Sequence, residues 1–431
     1  MSGWWKRAMI CVTGVVLPVV SSGAAELDRA DTAWILSSTG LSLFMTVPGL
    51  TLLYGGLVRT KNVLSVLVQC FAITAIVSIL WIFVGYSLAL TDGGSWQALI
   101  GGGSRLLLAG MTADTLIGRF PEPVICIYHL TFAVFAPALM IGGFVERMRF
   151  SAVLWFAAAW TMLVYVPVCH WLWGGGWLAR LGAVDFAGGI VVHTTAGGAA
   201  LTAAWLVGPR RGFPDALMPP HNLTLTAVGA GILWVGWHGF SAGSALVANG
   251  AAGMAMLATH ISATVGAVVW MAIEWLRYGR PTLLGLVTGL IAGLAIVSPA
   301  AAYIGPFGAL IMGVVAAFAC FVAIPWIKRT LEIDDALDVF PVHAVGGVLG
   351  SLLTALFAAQ ALGGTGLPGA SDVWEQLGVQ AAAVVSALAW SGTVSFIVLK
   401  GLDHWLGLRV SSDEETEGLD ISSHNGKGYY L

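Results

Sequence analysis

Long apolar runs dominate this chain and limit the folds it can adopt. Eleven runs are close to the roughly 20 residues that a helix needs to cross a bilayer. They lie at residues 32–57, 63–90, 122–145, 152–172, 187–207, 222–242, 252–276, 282–299, 303–327, 338–360 and 376–402. Charged residues make up only 10% of the 431 residues, against about 25% in a soluble domain. The sequence therefore predicts an all-α polytopic membrane protein.

The N-terminus has the organisation of a secretory signal peptide. Lys6 and Arg7 precede an apolar run over residues 8–20, and the small residues SSGAA follow it. This run is too short to span a membrane, and a basic start with a small-residue end is typical of a cleaved signal. We predict that residues 1–25 are a signal peptide and that the transmembrane domain covers residues 26–402.

Basic residues are distributed unevenly between the loops. Thirteen lie in one set of alternate loops and after the last run, whereas four lie in the opposite set. Because Lys and Arg concentrate on the cytoplasmic side, the mature N-terminus is predicted outside and the C-terminus inside.

Eleven helices also divide into five, five and one. Residues 32–207 and 222–360 are therefore predicted as two inverted five-helix repeats, followed by a final helix at 376–402.

Two histidines occupy matching places in the predicted repeats. His193 lies in GGIVVHTTAGG and His343 in DVFPVHAVGG, and a Gly-Gly pair follows each histidine within four residues. Each imidazole could simply be satisfied by a backbone carbonyl. If the two are in contact, they form a polar strip that passes protons or hydrogen-bonds a small polar molecule. No third His, Cys or carboxylate lies nearby in either run, so we expect no metal and no cofactor.

An aromatic segment with one acid precedes the first of these histidines. Asp185 either caps the free N–H groups of the next helix or shapes a cation site. Trp173 belongs either to an interfacial aromatic belt or to a pore mouth, where an indole face attracts a cation by about 0.5–2 kcal/mol. The residues alone leave both alternatives open.

Two other motif matches do not fit a membrane helix. Residues 239–243 fit G-x-S-x-G beside His238, but that pattern indicates a serine hydrolase only between a strand and a helix. The triplet Asn222-Leu223-Thr224 would accept a glycan only outside the cell, and it lies on the predicted cytoplasmic side. The sequence has no G-x-x-x-x-G-K-[ST] motif, which argues against an ATP-driven pump. We predict that the protein is not an enzyme.

Six motifs together resemble the Amt/Mep/Rh ammonium transporter family, most closely its bacterial channels of the AmtB type. They are LFMTVPGLTLLYGGLVRTKNVLS, ERMRFSAVL, LWGGGWLA, GAVDFAGGIVVH, GWHGFSAGSA and DDALDVFPVHAVGG. The resemblance extends from Asp31 to Tyr430. It implies eleven helices in two inverted repeats and a homotrimer in the inner (cytoplasmic) membrane, with one pore per subunit. It also implies ammonium or ammonia as substrate and no nucleic-acid partner.

The same resemblance assigns nine residues to the path of the substrate. Those implied to bind ammonium at an outer vestibule are Trp173, Ser244, Asp185 and Tyr128. Those implied to gate the pore are Phe132 and Phe240. Those implied to line the narrow pore and its proton pathway are His193, His343 and Trp237. The implied mechanism is deprotonation of ammonium, passage of ammonia through an apolar tube, and net transfer of charge.

The chain departs from the family pattern at three positions. His129, His238 and Ser241 stand where glutamine, phenylalanine, and asparagine or proline are usual. The tail, residues 403–431, has the composition of a disordered end, but GLDISSHNGKGYY resembles the family's regulatory C-terminus, which meets a PII-type signalling protein. The alternatives to a transporter are an ammonium sensor with little flux, an Rh-like gas channel for ammonia or carbon dioxide, and a di-histidine metalloenzyme.

Overall fold

A computed structural model of the protein describes residues 26–366 and 370–429, so the predicted signal peptide lies outside the described residues. Eleven apolar helices follow one another along this part of the chain. In order, α1–α11 are Arg29–Leu57, Thr60–Leu90, Glu122–Phe144, Phe150–Leu181, Gly189–Val207, Leu223–Gly243, Gly250–Tyr278, Leu283–Val297, Pro306–Thr330, Phe340–Phe357 and Val373–Leu406. Ten of them are long and apolar enough to cross a membrane, and α8 is shorter.

Each predicted apolar run overlaps one of these helices. The eighth run was predicted as a span over residues 282–299, but α8 has only 15 residues. At about 1.5 Å per residue it covers about 22 Å, less than the roughly 30 Å of a hydrocarbon core. Turns over residues 298–304 follow it. The count of eleven spans, like the orientation in the membrane, stays a prediction.

Several helices contain π-helical segments, in which the backbone makes room for one extra residue per turn. These segments are Met45–Leu50, Trp81–Gly85, Thr161–Tyr165, Gly189–Thr194, Trp326–Thr330 and Phe340–Ala344. Insertions of this kind are frequent at functional sites. Two of them open α5 and α10, and they carry His193 and His343.

Helix α3 lies at the centre of the bundle. Its side chains are buried around nearly the whole circumference, and it packs against α1, α2 and α5. Such a position requires a helix that is apolar on all sides, which this sequence provides. Tyr128, His129, Phe132 and Phe135 all lie on its buried surface.

The π-helical starts of α5 and α10 approach each other closely because both helices have glycine at the contact. A Cβ at Gly197 of α5 would lie 2.5 Å from the Cβ of Ala344. A Cβ at Gly347 of α10 would meet the backbone oxygen of Gly189 and the Cβ of His193. The Gly-Gly pairs that follow the histidines therefore allow the two histidine-bearing segments to touch.

The remaining elements are short and lie between or after the apolar helices. The strands β1 (Leu116–Ile117) and β2 (Phe120–Pro121) form an antiparallel pair before α3. Three 3₁₀ turns lie at Gly94–Trp96, Leu106–Leu108 and Gln360–Leu362.

The tail is folded against the loops between the apolar helices rather than disordered as its composition suggests. Two short helices, α12 (Ser412–Glu417) and α13 (Leu419–His424), follow α11. Arg409 pairs with Met148 in a β-bridge, and its guanidinium lies 2.7 Å from the buried carboxylate of Glu415. Lys61 donates to the backbone oxygens of Glu415 and Thr416. Contacts with distant loops, which composition does not encode, hold the tail in place.

Candidate functional site

A small cavity of about 20 Å³ lies where α3, the turn after Leu172 and the end of α6 meet. A space of this size holds one molecule as large as water, and ammonium is of similar size. The residues that line the cavity are Tyr128, His129, Phe132, Trp173, Phe186, Ser244 and Leu246. Three of the four predicted ammonium-binding residues are among them.

Two hydroxyl groups in the small cavity have lone pairs available to a cation. Tyr128 Oη donates to the backbone oxygen of Phe240 at 2.8 Å, and Ser244 Oγ donates to the same oxygen at 3.0 Å. The two hydroxyl oxygens lie 3.3 Å apart. Because each proton is directed at the carbonyl, both oxygens can accept hydrogen bonds from a guest.

The indole of Trp173 is fixed by a backbone contact. Its Nε1 donates to the backbone oxygen of Asp185 at 2.7 Å. Its ring meets Phe132 edge-to-face at a centroid distance of 5.4 Å, and the imidazole of His129 at 6.2 Å. The indole is therefore held at the cavity wall in one orientation.

The carboxylate of Asp185 is turned toward the start of α5 and does not line the small cavity. Its oxygens accept from the backbone N–H groups of Gly189, Ile190 and Val191 at 2.6–2.8 Å. Burial raises the pKa of Asp185 to about 6, against the opposing effect of these N–H donors. The geometry of the carboxylate is that of a helix cap, and the hydrogen bond from Trp173 goes to the backbone oxygen of Asp185.

Two phenylalanine rings, one of which lines the small cavity, are stacked on each other. The rings of Phe132 and Phe240 are stacked with centroids 4.0 Å apart, and both side chains are fully buried. Phe135 meets Phe240 edge-to-face on the far side, at 5.6 Å. In this conformation the stack leaves no open passage between the rings.

The two histidines are in direct contact beyond the phenylalanine stack. Their Nδ1 atoms lie 3.2 Å apart and their rings are stacked at a centroid distance of 5.2 Å. Trp237 also stacks on His193, at a centroid distance of 5.3 Å, and its Nε1 donates to Ser298 Oγ. Among the described residues, His193 Nε2 is buried without a hydrogen-bond partner. The contact between His193 and His343, which the sequence left open, is present.

A second, larger cavity of about 190 Å³ begins at His343. Its wall combines apolar side chains of α1 and α8 with Tyr54, Arg210, Lys328 and Asp338. Lys328 and Asp338 form an ion pair of 2.6 Å at this cavity. Charged side chains therefore line the cavity beyond His343, at the end that the loop charges predict to be cytoplasmic.

The arrangement does not include a cluster of metal ligands of the usual kind. Within residues 26–366 and 370–429, no group of three or more His, Cys, Asp or Glu side chains is placed to hold an ion. The aromatic and imidazole groups between the two cavities can instead bind a small cation, exclude water and relay protons.

Comparisons with known proteins assign the family. The sequence model of the Ammonium Transporter Family matches residues 33–429. The chain is 42% identical over 429 residues to an ammonium transporter of Aquifex aeolicus (strain VF5), covering 97% of this chain and 98% of that protein. The chain belongs to the ammonium transporter family.

Solved structures of this ammonium transporter family have the same fold. The crystal structure of Saccharomyces cerevisiae Mep2 superimposes with a TM-score of 0.82 at 35% identity, covering 90% of this chain and 89% of that one. A structure described as a sensor Amt protein gives a TM-score of 0.85 at 28% identity, covering 92% and 98%. The predicted family and the helical membrane fold are confirmed.

Three residues that contact these groups or line the small cavity were not predicted from the sequence of this ammonium transporter homologue. Phe135 packs between Phe240 and Trp237, Ser298 fixes the indole of Trp237, and Leu246 lines the small cavity. Phe135 follows Phe132 by three residues, so the helical repeat could have placed both on one face. No local signal indicates Ser298 or Leu246.

The three departures from the family pattern lie in different environments. His129 lines the small cavity, where its Nδ1 lies 2.9 Å from the backbone oxygen of Ile125. Ser241 is buried in α6, and its Oγ has no partner among the described residues. His238 is half-buried and faces α7, away from the path.

Proposed function

We propose that the protein transports ammonium by recruiting NH4+ in the small cavity and passing NH3 along the histidine pair. The proton crosses separately, so that net charge moves. The observation that carries this proposal is the order of groups along one line. A cation-sized cavity, a stack of phenylalanine rings, two touching imidazoles and a polar cavity follow one another.

Recruitment rests on two kinds of contact at the small cavity. The faces of Trp173 and its aromatic neighbours attract a cation by about 0.5–2 kcal/mol. The hydroxyl oxygen of Ser244 adds a directional hydrogen bond that NH4+ can donate and K+ cannot. The hydroxyl of Tyr128 donates to the backbone oxygen of Phe240, as Ser244 does, and this shared contact keeps the hydroxyl of Ser244 in position. Together these contacts select ammonium over an alkali cation of similar size.

The phenylalanine stack favours loss of a proton. A bare cation between Phe132, Phe240 and Phe135 has neither water nor a carboxylate to stabilise it, and isolated ions pay a high cost in apolar surroundings. Neutral ammonia pays much less. Desolvation disfavours the charged form and so lowers the pKa of ammonium at this point. Metal cations, which have no proton to lose, are rejected.

The histidine pair provides polar contacts where the path is otherwise apolar. One of the two Nδ1 atoms donates to the other, and which one donates depends on the tautomer of each imidazole. In both cases His193 Nε2 has no partner among the described residues, so it can accept from, or donate to, a passing molecule. A chain of imidazoles can also carry the proton that ammonium has released. His343 then opens to the larger cavity, where ammonia regains a proton.

Several wider features of the proposal rest on the family resemblance. We propose a homotrimer in the inner membrane, with a cleaved signal peptide, two inverted repeats, the N-terminus outside and the C-terminus in the cytoplasm. We also propose that the tail presents a surface to a PII-type signalling protein. Its ordered helices α12 and α13, with residues such as Ile421 exposed, support that role.

An ammonium sensor is the second candidate. The similarity to the sensor Amt structure favours it, because the same vestibule can bind ammonium to signal its presence rather than to move it. The closed phenylalanine stack suits either role. The two functions differ in flux, which can be measured.

The test is the transient current across a supported membrane after an ammonium pulse. For the proposed transporter, purified full-length protein gives an inward current that saturates with ammonium and is absent with potassium. The double variant His193→Ala, His343→Ala is expected to lose selective current, whereas the control His404→Ala, an exposed residue away from the path, retains it. Ammonia flux without current would indicate a gas channel. Neither flux nor current would favour the sensor.

A further inference from the structure

A second pair of histidines lies outside the substrate path, between α6 and α7. The ring centroids of His238 and His260 are 5.7 Å apart. His260 is exposed on the outer surface of the bundle, and His238 is half-buried. Ionisable side chains within membrane helices are costly and are expected to have a partner. Nothing in the proposed transport mechanism uses this pair.

The orientation of His238 leaves one nitrogen free. Its Nδ1 lies 2.9 Å from the backbone oxygen of Trp234. Because a carbonyl only accepts, Nδ1 carries the proton and Nε2 has a free lone pair. A histidine held by a carbonyl in this way has the arrangement found behind metal-bound imidazoles, where the second contact fixes the tautomer and the ring.

The second imidazole is also held on one face. The indole of Trp234 stacks on His260 at a centroid distance of 5.2 Å and an interplanar angle of 18°. His260 is nevertheless exposed at the surface of the bundle. Two imidazoles that bind one ion at about 2.0 Å have their centroids about 5–6 Å apart, depending on the ligand–metal–ligand angle. The observed distance lies in this range.

A thioether stands one helical turn from His260. Met256 precedes it by four residues on α7, and residues at this spacing are neighbours on one helix face. Both side chains are exposed on the bundle surface. Thioethers select soft cations such as Cu(I), and imidazole also binds copper. A monovalent ion costs less to desolvate in a membrane than a divalent one.

We propose that His238, His260 and Met256 form a binding site for Cu(I) on the membrane-embedded flank of α6 and α7. The ligands are two neutral imidazole nitrogens and one thioether sulfur, so no carboxylate is needed. An ion at this place joins α7 to the part of α6 that carries Trp237 and Phe240. The site is independent of the proposed transport mechanism.

The test is anaerobic titration of the purified full-length protein with Cu(I) against a competing Cu(I) chelator. The variants are His238→Phe, His260→Leu and Met256→Leu, and the matched control is His404→Leu. The four described cysteines are buried and remain in every variant, so any copper they bind is a common background. Elution as a single species on size-exclusion chromatography checks that each variant is folded.

We expect the wild type and the control to bind one more Cu(I) per chain than either histidine variant does at the same chelator concentration. Each substitution is expected to weaken this binding at least about ten-fold. X-ray absorption should show nitrogen and sulfur ligands, and Met256→Leu should remove the sulfur. Equal binding by the wild type and His238→Phe would overturn the proposal, as would complete loss of wild-type copper to the chelator. A change of oligomeric state in the histidine variants without any change in copper binding would instead indicate an interface between copies.

Discussion

Asp185 offers the sharpest test of how the vestibule works, because its carboxylate has two competing interpretations. One is that it supports the ammonium site, as the family resemblance implies, by shaping it or by aiding deprotonation of the ion. The other is that it caps α5, as its three contacts with backbone N–H groups indicate. The chain provides a matched control in Asp335, whose carboxylate accepts from Val339 and Phe340 at the start of α10. We therefore compare Asp185→Asn with Asp335→Asn.

The expected loss of stability can be worked from the contacts. An asparagine at 185 can keep its oxygen on Ile190 and Val191, but its NH2 group then faces the N–H of Gly189. One charge-assisted hydrogen bond is lost and one donor is left unpaired, which costs about 2–4 kcal/mol. At Asp335 the same replacement also removes one of two bonds, so a similar loss is expected. Both variants should melt several degrees below the wild type.

Transport distinguishes the two interpretations. If Asp185 is a cap, Asp185→Asn retains measurable ammonium current, because Trp173 is held by the backbone oxygen of residue 185 and not by the side chain. The assays are apparent melting temperature at a fixed heating rate and current after an ammonium pulse, on the same preparations. An Asp185→Asn protein with wild-type melting and no current, beside an active Asp335→Asn protein, would refute the capping argument.

Three further predictions concern other parts of the molecule. Trp173→Leu should weaken the apparent ammonium affinity about 2- to 30-fold, because it removes the cation–π contact. The control Trp177→Leu, outside the small cavity, should leave the affinity unchanged. Unchanged selectivity against potassium in Trp173→Leu would show that this contact does not recruit ammonium. Burial opposes ionisation of Asp334, but its hydrogen bonds to Arg210 outweigh burial and lower its pKa to about 2. This pair should therefore add about 2 kcal/mol to the free energy of unfolding above pH 4, and the contribution should be lost as the pH falls toward 2. Asp334→Asn should remove the change in stability over this pH range. Deletion after Gly401 should abolish any binding of a PII-type protein while membrane insertion persists, and retained binding on a pull-down would place the contact elsewhere.

Hydropathy predicts the positions of the helices well but not their ends or their internal defects. The last run was predicted to stop at 402, where charged residues begin, but α11 continues to Leu406 and stops at Gly407, whose φ is positive. The π-helical segments are not indicated by the hydropathy pattern, because an extra residue in one turn does not interrupt an apolar run. Helix α8 ends where the turns that begin at Ser298 follow it, and hydropathy does not indicate this end.

The resemblance to a family placed more of the site than the residue pattern did. Eight of the nine predicted residues lie along the line between the two cavities, but only their family motifs indicated which aromatic residues those were. Composition was least useful for the tail. Its acidic residues indicated disorder, whereas Glu415 is buried, pairs with Arg409 of the same tail and accepts from the backbone N–H of Arg211 in a distant loop. Composition does not indicate a hydrogen bond between segments that lie so far apart in the sequence.

One relation between the two halves could have been found in the sequence alone. Asp185 precedes His193 by eight residues, and Asp335 precedes His343 by the same number. In the structure each aspartate caps a π-helical segment that carries its histidine. The paired spacing supports a duplicated unit of cap, π-helical turn and histidine more strongly than the Val-His match does. A buried carboxylate in each unit is then needed to start the helix, whether or not that unit faces ammonium.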